Sequence, residues 1–203
     1  MSVPTPRQAF AFLAPLRGRT SVFITPSRRR SINLGRFLLG CLAASRKHVV
    51  IFDTSSLYGT NIHRITEGLP KEFLQQSSLI TPPSQHIEEA LANLFTMKTR
   101  AILIDDLNSL HHLISSDKHG SGTQRLFSLL RLLSYQARVT DLCVFWTLYR
   151  AEGDSSPEKA TRRSLAAAAD LEISTKVHSN RITFACNEAT GWPNNQFSAP
   201  LYF

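Results

Sequence analysis

Ser21-Val-Phe-Ile-Thr-Pro-Ser-Arg-Arg-Arg-Ser-Ile-Asn-Leu34 is the stretch on which the fold turns. Its apolar start, Ser21 to Ile24, predicts a short strand stopped by Thr25-Pro26. Beyond the arginines, Ile32, Leu34, Phe37, Leu38, Cys41 and Leu42 recur at helical spacing, so a helix is predicted over Ile32–Ser45. A strand, a turn and a helix form the opening unit of an alternating α/β chain.

The alternation continues outward. His48-Val-Val-Ile-Phe52 is an apolar run ending on Asp53-Thr54-Ser55. A mixed, turn-rich stretch follows, and Ser84 is placed to cap a helix carrying Ile87, Ala90, Leu91, Leu94 and Phe95. Ala101-Ile-Leu-Ile104 closes on Asp105-Asp106. After a polar loop over Ser115–Thr123, Gln124–Arg138 reads as an amphipathic helix with Leu126, Leu129, Leu130 and Leu133 on its apolar side. Leu142–Thr147 is a further buried strand, and Asp170–Ser174 and Arg181–Cys186 are two late ones around a turn at His178-Ser179-Asn180. Continuous apolar strands suit a parallel sheet covered on both faces. The expected fold is α/β: a mostly parallel sheet flanked by helices, with antiparallel C-terminal strands. The expected organisation is a basic N-terminal arm over 1–20, read as an arm or a short helix, a core over 21–190 and a tail over 191–203.

Composition narrows the function classes. The chain has 203 residues, 42% hydrophobic and 19% charged, enough for one domain with a real core. No apolar run approaches the roughly 18 residues of a membrane span, so no membrane partner is expected. Ala9 to Leu16 is short and broken by Pro15, unlike a secretory signal. Cys41, Cys143 and Cys186 are too few and too scattered for a disulfide framework or a zinc site, which points to a reducing compartment and three buried thiols. His111-His112 point in different directions on a helix, and nothing completes a metal set around them. No metal and no cofactor are expected. Net charge is +8, and it is regional: residues 1–50 hold nine Arg or Lys and no acid. Such a region suits a polyanion, most simply nucleic acid.

The order of elements over roughly residues 20–190 resembles the RecA-like recombinase family and its paralogs. Four segments carry the resemblance. Ser21–Leu34 stands where the family has strand, phosphate loop and helix. Val49-Val-Ile-Phe-Asp-Thr-Ser-Ser56 resembles the second core strand, which in the family ends in Asp-Thr-Glu. Ala101–Asp106 resembles Walker B. Gly122–Arg138 followed by Leu142–Thr147 resembles the arginine-bearing helix and the strand that lead into a DNA-binding loop.

The departures are chemical. A working phosphate loop, Gly-x-x-x-x-Gly-Lys-Ser/Thr, wraps phosphates in backbone N–H groups, neutralises them with Lys and holds magnesium with its hydroxyl. Thr25 to Ile32 offers neither glycine nor lysine. Ser55 stands where the family's water-activating glutamate would be, and a serine is no general base at neutral pH. Thr25, Ser31, Ser55 and Asp105 therefore form a degenerate nucleotide site, with Asp105 left to cap the next helix. The family's Phe-x-x-Ala self-association motif is not met by Phe10-Ala-Phe-Leu-Ala14.

The resemblance implies a recombinase paralog of the Shu-complex type. It would be a non-catalytic subunit that binds single-stranded or branched DNA and assists homologous recombination and repair. Its partners would be a second RecA-like subunit and a recombinase or a SWIM-type protein. It would work in the nucleus of a eukaryote and otherwise in the cytoplasm. An alternative is an ATPase-like RecA-fold subunit of an Elongator-type complex acting on tRNA. The expected DNA-binding residues are Arg28, Arg29 and Arg30, in a loop after the first strand, with Arg150, Lys159, Arg162 and Arg163 in a second loop, Leu148–Ser164. Loops leaving the C-terminal ends of parallel strands gather at one edge, which would bring the two together. Trp146 reads as core, and Trp192 as either an exposed anchor or packing for the tail.

Overall fold

The structure is a computed structural model and describes residues 4–115, 122–150, 159–178, 181–186 and 192–200, with only the backbone for Arg28, Arg29 and Ser84. The middle of the second loop, 151–158, most of the 115–123 loop and the 179–180 turn lie outside the described residues. In chain order the elements are α1 (Pro6–Leu13), β1 (Thr20–Thr25), α2 (Arg28–Ala44), β2 (Val49–Asp53), α3 (Leu57–Thr60), α4 (Ile62–Thr66), α5 (Lys71–Gln75) and β3 (Ser78–Ile80). There follow α6 (Ile87–Asn93), β4 (Ala101–Asp105), α7 (Leu107–Ser115), α8 (Gly122–Thr140), β5 (Cys143–Tyr149), α9 (Lys159–Ala166), β6 (Leu171–His178), β7 (Arg181–Cys186) and β8 (Gln196–Pro200).

One eight-stranded sheet runs in the order β3-β2-β4-β5-β1-β6-β7-β8. The expected class holds: strands from β3 to β6 pair in parallel, and β7 and β8 add antiparallel. β6 itself joins β1 in parallel, so the antiparallel part begins at β7. β1 sits between β5 and β6, which is why all six of its residues are buried.

Alternate side chains feed two layers. Phe23, Ile51, Leu103, Phe145 and Ile173 pack under α1 and α2. Val22, Val50, Ile102, Ile104, Val144 and Trp146 pack under α6, α7, α8 and α9. All three cysteines are buried, and none is in a disulfide among the described residues. No helix among the described residues is long and apolar enough to cross a membrane.

Three expectations need correction. The first residues are not an arm. Thr5 and Gln8 form a capping box with Pro6 at the first helical position, and Ala9, Phe12, Leu13 and Leu16 present one buried face. Phe12 lies at the centre of an aromatic cluster, its ring centroid 5.0 Å from Phe37, 4.9 Å from Phe184, 5.4 Å from Trp192 and 5.1 Å from Phe197. Nor is 191–203 only a tail: Trp192 is buried in that cluster, and β8 extends the sheet. Finally, Arg28, Arg29 and Arg30 are not in a loop. Pro26-Ser27 alone joins β1 to α2, so the arginines form the first turn of the helix.

The fold also redistributes charge. Arg17 is ion-paired to Asp141, and Arg36 to Glu67 at 3.4 Å. Bases from the acid-free first fifty residues are thus met by acids from the rest of the chain.

Candidate functional site

Parallel strands end together, so polar residues that close apolar runs converge at the C-terminal edge of the sheet. Asp105 ends β4 there and is fully buried. Ser31, one turn into α2, donates its hydroxyl to Asp105 Oδ1 at 3.2 Å. Ser55 Oγ donates to Oδ2 at 3.0 Å, and Thr147, near the end of β5, donates to Oδ1. The Tyr149 hydroxyl approaches Oδ1 at 3.5 Å. The structure therefore joins three of the four residues expected at a degenerate nucleotide site and adds Thr147 and Tyr149. Thr25 is buried nearby, but its hydroxyl has no hydrogen-bond partner among the described residues.

Neighbouring groups hold this cage in place. Thr54 N donates to the Asp105 carbonyl at 2.7 Å, and Thr54 Oγ1 accepts from Asp106 N at 3.0 Å, which clasps the ends of β2 and β4. Asp53 accepts from Leu57 N at 3.1 Å and Gly59 N at 2.8 Å, fixing the start of α3. It is Asp106 rather than Asp105 that caps α7, accepting from Ser109 N at 2.6 Å. Burial pushes the Asp105 carboxyl up to about 6, against the pull of the hydroxyls of Thr147 and Ser55, which favour its charged form.

Tyr58 closes the cage from the α2 side. It is fully buried, and its hydroxyl has no hydrogen-bond partner among the described residues. Its ring lies so close to α2 that a Cβ at Gly35 would fall 2.1 Å from the hydroxyl oxygen. Burial, then the nearby Asp105, hold the phenol well above its usual range. A buried hydroxyl without a partner carries its full desolvation cost. Tyr58→Phe is therefore expected to raise folding stability by about 1 kcal/mol, read from the denaturant midpoint. A loss of more than that amount would mean that the hydroxyl is bonded in solution.

A phosphate group and its magnesium do not fit this site. The backbone N–H groups of Arg30 and Ser31 already donate to the Ser27 carbonyl at 3.1 and 3.3 Å. The stretch that would have to curve round the phosphates is helix, and the Ser31 hydroxyl is committed to Asp105. Among the described residues no group of three or more His, Cys, Asp or Glu side chains is placed to hold a metal ion.

The second set of expected residues meets beside the first. Arg150, Lys159, Arg162 and Arg163 border a small cleft of about 60 Å³ floored by Ile24 and Leu148. Arg150 leaves β5 at its C-terminal end, and α9 supplies the other three. Glu172 stands opposite, 3.9 Å from Arg150. Arg30 is exposed at the start of α2. Because α2 covers one face of the sheet and α9 the other, Arg30 shares the edge but does not line the cleft.

No family model matches the sequence, and no curated protein matches it. Among solved structures, the crystal structure of the RadB recombinase is similar over 98% of this chain and 93% of that one, with a TM-score of 0.63 and 17% identity. The chain has a RecA-like fold. Asp105 ends β4, the strand whose sequence resembles Walker B, against the start of α2. The RecA-like frame accounts for Ser31 and Ser55 at the site. It gives no hint of Thr147 or Tyr58. The sequence marks Thr147 only as a polar residue interrupting an apolar run, two positions before the end of β5.

Proposed function

We propose that this chain is a non-catalytic RecA-like subunit that binds DNA and assists homologous recombination and repair beside a second RecA-like subunit. The observation that carries the reading is the closed cage around Asp105. Its oxygens accept from hydroxyls of the protein itself, and one turn of helix replaces the loop that would cradle phosphates. Such a site supports a role without nucleotide turnover. The cluster of Arg150, Lys159, Arg162 and Arg163 supports contact with a phosphate backbone, since among the described residues it gathers four cations beside one acid, Glu172. The likeness in fold to a recombinase supports DNA over other polyanions. Contacts would be chiefly to phosphate, so binding would be sequence-tolerant and salt-dependent.

The test is a salt titration of a labelled single strand, with and without magnesium-ATP. Binding is expected to weaken steeply with salt and to ignore the nucleotide. Lys159→Ala with Arg163→Ala should lower affinity on every sequence and flatten the salt slope by about one to one and a half. Arg28→Ala/Arg29→Ala/Arg30→Ala measures what the start of α2 adds. Affinity that requires ATP, or that neither variant changes, would overturn the reading.

A further inference from the structure

The N-terminal edge of the sheet, opposite the Asp105 cage, carries a larger opening. Here β2, β4 and β5 begin, and the end of α8 passes over them. The cleft between them has a volume of about 540 Å³, in the range that accepts a bulky side chain or small ligand. Arg46, Lys98 and Arg100 stand on its rim, all exposed, and none shares an ion pair among the described residues. The acid beside them, Asp141, is held by Arg17. Leu94, Phe95, Met97 and Leu142 form the apolar part of its lining, which is otherwise polar. Its wall is preformed: the Thr99 hydroxyl reaches the carbonyls of His48 and Ala101, each at 3.0 Å, and so ties the starts of β2 and β4.

The helix wall differs from the rim. Gln136 and Thr140 of α8 face the cleft without charge. On the adjoining outer face of the same helix Leu132, Tyr135 and Val139 are 54%, 66% and 64% exposed, at i, i+3 and i+7. This surface is therefore cationic on one side and apolar on the other, with a cavity between. A nucleic-acid backbone would meet cations along only one wall and an apolar ridge along the other. An acidic protein segment carrying a large apolar side chain matches both sides and fills the cavity.

We propose that this cleft docks an acidic segment of a partner protein, with one aromatic or large aliphatic side chain seated against Met97 and Leu142 and carboxylates set over Arg46, Lys98 and Arg100. The surface is independent of the DNA-binding reading, which concerns the opposite edge. Methionine beside a cavity suits such a role, because its flexible thioether adapts to the shape of an incoming side chain.

The experiment uses the full chain and three labelled probes: a peptide of alternating Asp and Glu around a central Phe-Leu, the same peptide with Ser-Ser at the centre, and an oligothymidine. The acidic Phe-Leu peptide is expected to bind. Lys98→Glu with Arg100→Glu, both exposed, should weaken it by roughly tenfold or more, and the Ser-Ser peptide should bind several-fold more weakly to the wild type. Circular dichroism melting of the variant verifies its fold, and Met97→Ala offers a second, uncharged test that should weaken the Phe-Leu peptide alone. Oligothymidine binding should survive both variants. The proposal fails if the wild type does not bind the Phe-Leu peptide at about millimolar concentration, or if the charge reversal leaves that binding unchanged. It also fails if the variant loses oligothymidine instead, which would make the cleft a nucleic-acid site.

Discussion

Asp105→Asn is expected to make the protein more stable at neutral pH, by on the order of 1–3 kcal/mol, and the gain is expected to disappear in acid. The folded protein holds the Asp105 proton up to about 6, whereas the unfolded chain gives it up near 3.8. Between those values the folded state binds more protons than the unfolded chain. Stability of the wild type therefore falls as pH rises through that window, and above it the buried anion is carried at full cost. Asparagine removes the anion and keeps the hydrogen bonds. Its Oδ1 accepts from Ser31 and Thr147, and its Nδ2 donates to Ser55, whose hydroxyl can reverse its role. Thermal midpoints of both proteins from about pH 4 to pH 8 provide the measurement, at roughly 2–4 °C per kcal/mol for a chain of this size. If the asparagine protein melts below the wild type at neutral pH, the cage needs its charge, and a bound cation becomes the better account of Asp105.

The second large effect is at Phe12. Phe12→Ala is expected to cost about 3–5 kcal/mol, since the ring is fully buried among Phe37, Phe184, Trp192 and Phe197. Phe10→Ser, two residues away and 67% exposed, should stay within about 0.5 kcal/mol of wild type. Denaturant midpoints separate the two outcomes. A Phe12→Ala protein within about 1 kcal/mol of wild type would return α1 to the status of a detachable arm.

The contrast between these phenylalanines shows what the sequence could and could not deliver. The inner strands were readable because burial on both faces leaves an unbroken apolar run, as in Ala101–Ile104 or Val49–Phe52. α1 was hidden by local noise. Its buried residues, Ala9, Phe12, Leu13 and Leu16, have perfect helical spacing, but Pro6, Arg7 and Pro15 around them read as irregular chain. β3 and β8 were missed for a different reason. They are the sheet's two edges, short and only partly buried, so no apolar run marks them. At the site, position in the fold identified Asp105, Ser31 and Ser55, while Tyr58 and Thr147 arrive from elements far apart in sequence. The fold spreads the charge pattern. The first fifty residues look like one basic region, yet Arg17 and Arg36 end in ion pairs with distant acids, Arg46 joins Lys98 and Arg100 at the opposite edge, and Arg150, Lys159, Arg162 and Arg163 gather from β5 and α9.

The aromatic cluster also sets a schedule for synthesis. Phe12 leaves the ribosome 180 residues ahead of Trp192 and 185 ahead of Phe197. At roughly 5–20 residues per second the helix waits on the order of ten to forty seconds for the rings that cover it. Throughout that interval Phe12 can meet Phe23 and Phe37 but not the rings of Phe184, Trp192 and Phe197, and a half-covered apolar face is the kind of exposed surface that makes partly folded chains stick to one another. Closing the loop between Phe12 and Trp192 is thus a late event that cannot be hurried by faster local folding. A cell making this protein must shield the Phe12 face until Trp192 arrives.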